Sequence, residues 1–189
     1  LLGHNAGSSI TTNSYSVRIG NYAGNGSDQS YDVIIGGSAG QYSGQRNVLI
    51  GYLAGRYAGG NYNVGIGYWA LSANTSSPGA GGSYNTAVGY LAGSGITSGS
   101  SNTALGYTAL TNTTTGGNNT AVGRNALYNN QHGEYNVAIG QGAGDHATGS
   151  YNTFVGGLAG TGGTTSAPFS SGQNNTALGY QALTAFTTG

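Results

Sequence analysis

Few side chains in this chain of 189 residues could carry out acid–base, nucleophilic or metal chemistry. The sequence contains four Arg, four acidic residues and three His, but no Lys and no Cys. Residues 36–40 (GGSAG) match the G-x-S-x-G pattern of a hydrolase nucleophile elbow. The same Gly and Ala positions recur along the chain as part of a repeat, so we expect no catalysis there. His4, His132 and His146 would each need a carboxylate and a pocket for Ser-His-acid catalysis, and we expect solvated loop positions instead.

Cation binding is the second kind of chemistry that these side chains could support. Four acidic and imidazole side chains in neighbouring repeats could converge on one cation: His132, Glu134, Asp145 and His146. These residue types are good metal ligands, but exposed loop positions are the simpler interpretation. Asp28 and Asp32 could hold calcium, yet the sequence has no GGxGxD repeat of the calcium-binding kind, and we expect Asp32 to have a structural role at a corner. We therefore predict no metal, no cofactor and no enzyme activity.

The composition narrows the class of protein further. Charged residues make up 4% of the chain, where a globular protein carries about a quarter. The net charge is zero, which predicts no nucleic-acid-binding patch and favours self-association. The lack of Cys and Met leaves no disulfide and nothing readily oxidised, which fits an extracellular or virion surface. No run of about 18 apolar residues is present, so no membrane insertion is expected.

A short repeat is the dominant feature of the sequence. Each copy is anchored on a Gly that follows an aliphatic residue. The eleven anchors are Gly3, Gly20, Gly36, Gly51, Gly67, Gly89, Gly106, Gly123, Gly140, Gly156 and Gly179. They are 15 to 17 residues apart, except for two intervals of 22 and 23 residues that contain both prolines. The spacing predicts an all-β parallel solenoid of about eleven short turns, forming one β-roll domain over residues 1–189.

Positions within a repeat are numbered from the anchor, so that −1 precedes it and +1 follows it. Position −1 is always Leu, Ile or Val, position −3 is Val or Thr, and position +3 is always Ala. The period-two alternation predicts a strand at −3 to −1, and we assign −3 and −1 to the solenoid core. Position −2 would then face outward; it is apolar except at Arg18 and Gly65. Because strands apolar on both faces are buried on both faces, we expect −2 to pack against identical chains.

Two kinds of polar or aromatic column flank the predicted strand. Position −4 is Asn in eight repeats and Ser or Asp in two others, which predicts a ladder of Asn side chains at a corner, each bonded to the next turn. Tyr is concentrated at −5 and +1, which predicts phenol rings stacked along the solenoid. The anchor Gly is expected to supply an unusual backbone angle.

The repeats, such as NVAIGQGAG at 136–144, NTAVGYLAG at 85–93 and NTALGYQAL at 175–183, resemble the head repeats of YadA-like trimeric autotransporter adhesins. Similar units also occur in bacteriophage tail fibres and bacterial surface filaments. The resemblance covers the whole chain and implies a left-handed β-roll in which three chains associate into a rigid rod. In such a trimer three Arg18 side chains would meet near the axis, where we expect an axial anion site or a water cluster.

Surface recognition is assigned to projecting segments and to one aromatic residue. The longer turns at 74–83 and 161–174 contain Pro78 and Phe169 and should project from the rod. Trp69 is the only tryptophan and could stack on a sugar, or could instead pack on a loop or a neighbouring chain.

The sequence thus predicts a structural and adhesive rod, a homotrimer or higher homo-assembly of an extracellular fibre. That fibre would be a phage tail fibre or a bacterial surface adhesin that binds a cell-surface glycan or protein receptor. A self-polymerising extracellular filament subunit and an ice-binding solenoid are the alternatives. The regular Thr residues at −3 would suit ice binding only if they faced outward, and our assignment places them inward.

Overall fold

A computed structural model of the chain describes residues 1–11, 15–26, 30–73, 81–163 and 170–186. Within these ranges the structure contains ten strands of three residues each and no helix. The strands are β1 (Val17–Ile19), β2 (Val33–Ile35), β3 (Val48–Ile50), β4 (Val64–Ile66), β5 (Thr86–Val88), β6 (Thr103–Leu105), β7 (Thr120–Val122), β8 (Val137–Ile139), β9 (Thr153–Val155) and β10 (Thr176–Leu178). All ten form one parallel sheet in chain order. The prediction of an all-β parallel solenoid is therefore confirmed.

Equivalent positions of successive repeats are stacked in register. Thr103, Ala104 and Leu105 of β6, for example, pair with Thr120, Ala121 and Val122 of β7. Every strand contacts only the strands immediately before and after it in the sequence. The first repeat contributes a single bridge, between Leu2 and Ile19, so the turns are slightly fewer than the eleven predicted.

The two faces of the strand are the reverse of those predicted. Position −2 is buried inside the solenoid in all ten strands, and Arg18, Ile34 and Phe154 at this position have no exposed surface. Positions −3 and −1 face outward, with Val17 48% and Leu105 46% exposed. A period-two pattern shows which side chains share a face, but it does not show which face is the interior. Six of the ten strands have Ala or Gly at −2, which suits the narrow interior of a short turn. The four larger residues at −2 all occur with Gly at +4: Arg18, Ile34, Leu49 and Phe154.

Three positions of each turn fill the interior: −2, the Ala at +3, and +4. A large residue at −2 occurs with Gly at +4, as in Phe154 and Gly160, where a Cβ on the Gly would lie 2.1 Å from Cδ1 of the Phe. A small residue at −2 mostly occurs with Leu at +4, as in Ala121 and Leu127, both fully buried. Where both positions are small, the Leu of the preceding turn fills the space, so that a Cβ on Gly144 would lie 2.8 Å from Cδ2 of Leu127. The core therefore keeps a constant volume from turn to turn.

The anchor Gly is required by its backbone conformation and by close stacking. Gly123 has φ of 129°, a region that residues with a Cβ rarely adopt. A Cβ at this position would lie 2.5 Å from the carbonyl oxygen of Gly140 in the next turn. The predicted unusual backbone angle is confirmed, and the close approach explains why no other residue occurs at the anchor.

The two predicted projecting turns fall partly outside the described residues. Residues 74–80, with Pro78, and residues 164–169, with Phe169, are among those that the structure does not describe. Directly after residues 164–169, Ser170 is buried and forms a parallel bridge with Ala147. None of the described residues belongs to a helix that could cross a membrane.

Candidate functional site

The Asn column at −4 forms a buried hydrogen-bonded ladder, as predicted. The Oδ1 atom of each Asn accepts a hydrogen bond from the backbone N–H of the next Asn, for example at 3.0 Å from Asn119 to Asn102. The Nδ2 atom of Asn119 donates at 2.8 Å to the carbonyl oxygen of Gly133 in the following corner. Because both ends of the amide are occupied in the buried corner, this column holds the fold together and is closed to an external ligand.

Among the described residues, Arg18 and Asp32 are the charged side chains that are buried. Arg18 is fully buried and crosses the interior, since a Cβ on Gly24 would lie 2.7 Å from its Nε atom. Asp32 takes the place of an Asn in the ladder, and its Oδ1 atom accepts a hydrogen bond of 2.8 Å from the N–H of Asn47. Burial raises the pKa of Asp32 to about 6, although the Asn47 hydrogen bond and the Arg18 charge both lower it. The prediction that Arg18 faces an intermolecular axis was wrong, because position −2 is interior.

The four side chains that could have converged on a cation, His132, Glu134, Asp145 and His146, are not brought together. His146 and Asp145 are neighbours, with 3.9 Å between Nδ1 and Oδ1, and burial raises the pKa of Asp145 while the His146 charge lowers it. Nδ1 of His132 instead lies 2.8 Å from the hydroxyl of Thr115. In the described part of the chain, no three His, Cys, Asp or Glu side chains are placed to hold a metal ion.

Positions −3 and −1 of β1 to β10 form a continuous surface, which we call the outer sheet face. One column contains Val or Thr and the other contains Ile, Val or Leu, and every side chain is half-buried or exposed. The Thr hydroxyls of β5, β6, β7, β9 and β10 belong to this face, so the assignment of these Thr residues to the interior was wrong. The outer sheet face is therefore mostly aliphatic over the ten described strands, with a Thr hydroxyl in five of them.

Stacked aromatic rings border the outer sheet face, as predicted. At −5, the rings of Tyr62 and Tyr84 are 5.1 Å apart and nearly parallel, and the guanidinium of Arg46 lies 5.5 Å from the Tyr31 ring and 5.4 Å from the Tyr62 ring. Arg46 thus continues the column by cation–π contact where a Tyr is missing. At +1, a second column joins four consecutive turns: Tyr52, Tyr68, Tyr90 and Tyr107.

A groove of about 710 Å³ lies on the side of the solenoid formed by the residues that follow the anchor Gly in five successive repeats. We call it the turn groove; its lining includes Arg56, Tyr57, Trp69, Thr97, Thr114 and Gln131. Trp69 is 41% exposed, and its ring stacks on Tyr68 at 5.9 Å. Sequence reasoning found Trp69 but missed the other residues, because they lie at different repeat positions in turns that only the stacking brings together.

No protein-family model matches this chain, and no match was found among curated proteins or among solved structures.

Proposed function

We propose that this chain is a structural and adhesive rod module of an extracellular or virion fibre, in which identical chains associate through the outer sheet face. The observation that carries the proposal is the length of that face. Each of ten consecutive turns adds two outward side chains to the same strip, and most of these side chains are aliphatic. A long apolar strip on a soluble surface is typical of an interaction site.

Two further features support lateral self-association. Each fully buried aliphatic side chain contributes about 1.5–3 kcal/mol, so covering many turns at once stabilises both the assembly and the thin solenoid. The chain has no net charge, so identical copies repel one another weakly. The resemblance to YadA-like adhesin head repeats favours three chains per rod and an extracellular or cell-surface location.

The test is the mass of the purified chain in solution by light scattering, with negative-stain imaging of the same sample. We expect a trimer of short rods. Leu105→Glu places a charge on the outer sheet face at a residue that is 46% exposed in the single chain, so it should dissociate the assembly without unfolding the turn. Gln173→Glu adds the same charge at an exposed residue outside the strands and serves as the control. A monomeric parent chain would refute the proposal, and long polymers would favour a filament subunit.

Ice binding is the second candidate, and the outward Thr residues favour it. Five of the ten strands present Thr at −3 on a regular face. A monomeric chain that lowers the freezing point of water below its melting point would support ice binding. The other strands carry Val at −3, and −1 is aliphatic throughout, which suits contact with another protein chain better than contact with ice.

A further inference from the structure

The turn groove is built from columns of different chemistry. Position +2 supplies Trp69 between two Leu residues, and position +5 supplies the hydroxyls of Ser72, Ser94 and Thr111. Position +8 supplies Thr97, Thr114 and Gln131 in three consecutive turns. Since the rungs of a parallel sheet are about 4.8 Å apart, polar groups recur at a short, regular spacing beside an aromatic surface.

Several of the polar groups are already oriented by the fold. The hydroxyl of Thr97 donates to the backbone carbonyl oxygen of Thr114 at 3.0 Å. The hydroxyl of Thr114 likewise donates to the backbone carbonyl oxygen of Gln131 at 3.0 Å. The bond from Thr97 leaves its hydroxyl oxygen as an acceptor for an incoming O–H group. The Nδ2 atom of Asn112 donates to Oδ1 of Asn129 at 2.9 Å, which holds that amide at the groove as well.

Flat surfaces at one end of the groove complete the arrangement. The guanidinium of Arg56 lies over the ring of Tyr57, 5.0 Å from its centroid, and its Nε atom donates to Oε1 of Gln41 at 2.8 Å. The planar guanidinium is thus held against the ring. The described lining contains no Asp or Glu, and its one cationic side chain, Arg56, is already engaged by Tyr57 and Gln41.

We propose that the turn groove binds an uncharged oligosaccharide chain, with Trp69 as the stacking platform. A sugar ring presents an apolar C–H face and a rim of hydroxyls, which fits an aromatic surface bordered by oriented hydroxyl and amide groups. The regular polar columns suit a ligand that is itself a repeat of similar units. This site deepens the adhesive part of the proposed function and does not depend on how many chains form the rod.

The experiment uses the fluorescence of Trp69, which is the only tryptophan in the chain and therefore reports on the groove alone. The intact chain is titrated with neutral oligosaccharides of glucose, N-acetylglucosamine, mannose and galactose, and with sialylated and sulfated oligosaccharides for comparison. We expect at least one neutral oligosaccharide to change the emission in a saturable way. Calorimetry should then give about tenfold weaker binding for Trp69→Ala, with Trp69→Phe between the two.

Tyr22→Ala is the matched control, because Tyr22 is also an aromatic residue at +2 and is 36% exposed but lies outside the groove, and this variant should bind like the parent. Binding that survives in Trp69→Ala, binding of charged oligosaccharides alone, or no binding of any neutral oligosaccharide would overturn the proposal. A change in the mass of the assembly in Trp69→Ala would also overturn it, since the groove would then be occupied by another copy of the chain. Light scattering of the parent chain tests the rod separately, so failure of one proposal is distinguishable from failure of the other.

Discussion

Asp32 takes the place of an Asn in the buried ladder and differs from it by having a carboxylate oxygen where Asn has an amide nitrogen. The repeat pattern predicts this position correctly, because Asn, Asp and Ser are all short residues that can bond to a corner. The pattern does not reveal that Arg18 lies inside the same part of the solenoid, since its outward placement followed from an incorrect choice of face. Arg18 and Asp32 occupy different repeat positions, −2 and −4, so the sequence pattern shows each as a separate exception. Only the three-dimensional structure shows that the two charges lie in the same interior.

At the residue scale we predict that Asp32 makes stability depend on pH. Its pKa is about 6 in the fold, against an ordinary value of 3.8, so between these values the folded chain binds more protons than the unfolded chain. The free energy of unfolding should therefore fall as the pH rises from about 4 to 6, by about 3 kcal/mol from this group, and then stay level. Urea unfolding at a series of pH values measures this slope.

Asp32→Asn is the matched variant, because it restores the residue that most turns carry at this position. It should remove the part of the fall in stability that comes from Asp32. Asp145 also has a pKa raised by burial and contributes a slope of the same sign in both proteins. Identical slopes in the parent and the variant would contradict the role of Asp32.

At the scale of the strand and its turn, the sequence predicts the element but not its orientation. Val or Thr at −3 and an aliphatic residue at −1 predict a strand in each of the ten repeats that have both positions, and the structure contains all ten. The interior is instead identified by a relation between distant positions, since a large residue at −2 is accompanied by Gly at +4. Phe154 with Gly160 and Ala121 with Leu127 carry this signal in the sequence. The inverse relation between residue size at −2 and at +4 therefore identifies −2 as the buried position, which the alternation alone does not.

The same compensation predicts a coupled pair of substitutions in β9 and the turn that follows it. Phe154→Ala should cost about 3–5 kcal/mol by opening a cavity, and Gly160→Leu should also destabilise, because its side chain would meet the Phe154 ring. The double variant recreates the pairing of Ala121 with Leu127 and should be more stable than the sum of the two losses allows, by about 1–3 kcal/mol. Chemical denaturation of all four proteins measures the coupling, and simple additivity would show that the two positions do not share one space.

At the scale of the whole molecule, stability accumulates one turn at a time. Each strand contacts only its sequence neighbours, and the ladder and the aromatic columns also pass from one turn to the next. The sequence predicts this architecture well because a fixed period needs no information about distant contacts. It predicts the turn groove poorly, since that site depends on how non-equivalent positions of five turns line up across the surface.

Removal of one complete turn is therefore expected to leave the solenoid intact. Deletion of residues 107–123 joins Gly106 to Arg124, which places β6 against β8 and the Asn102 amide against the Asn136 backbone, with every column in register. We expect cooperative unfolding with a denaturant m-value lower by roughly a tenth, because about one turn in ten no longer contributes buried surface. Deletion of residues 107–115 removes about half a turn and shifts every later column, so it should abolish cooperative unfolding. Equal behaviour of the two deletions would mean that register between turns does not hold the solenoid together.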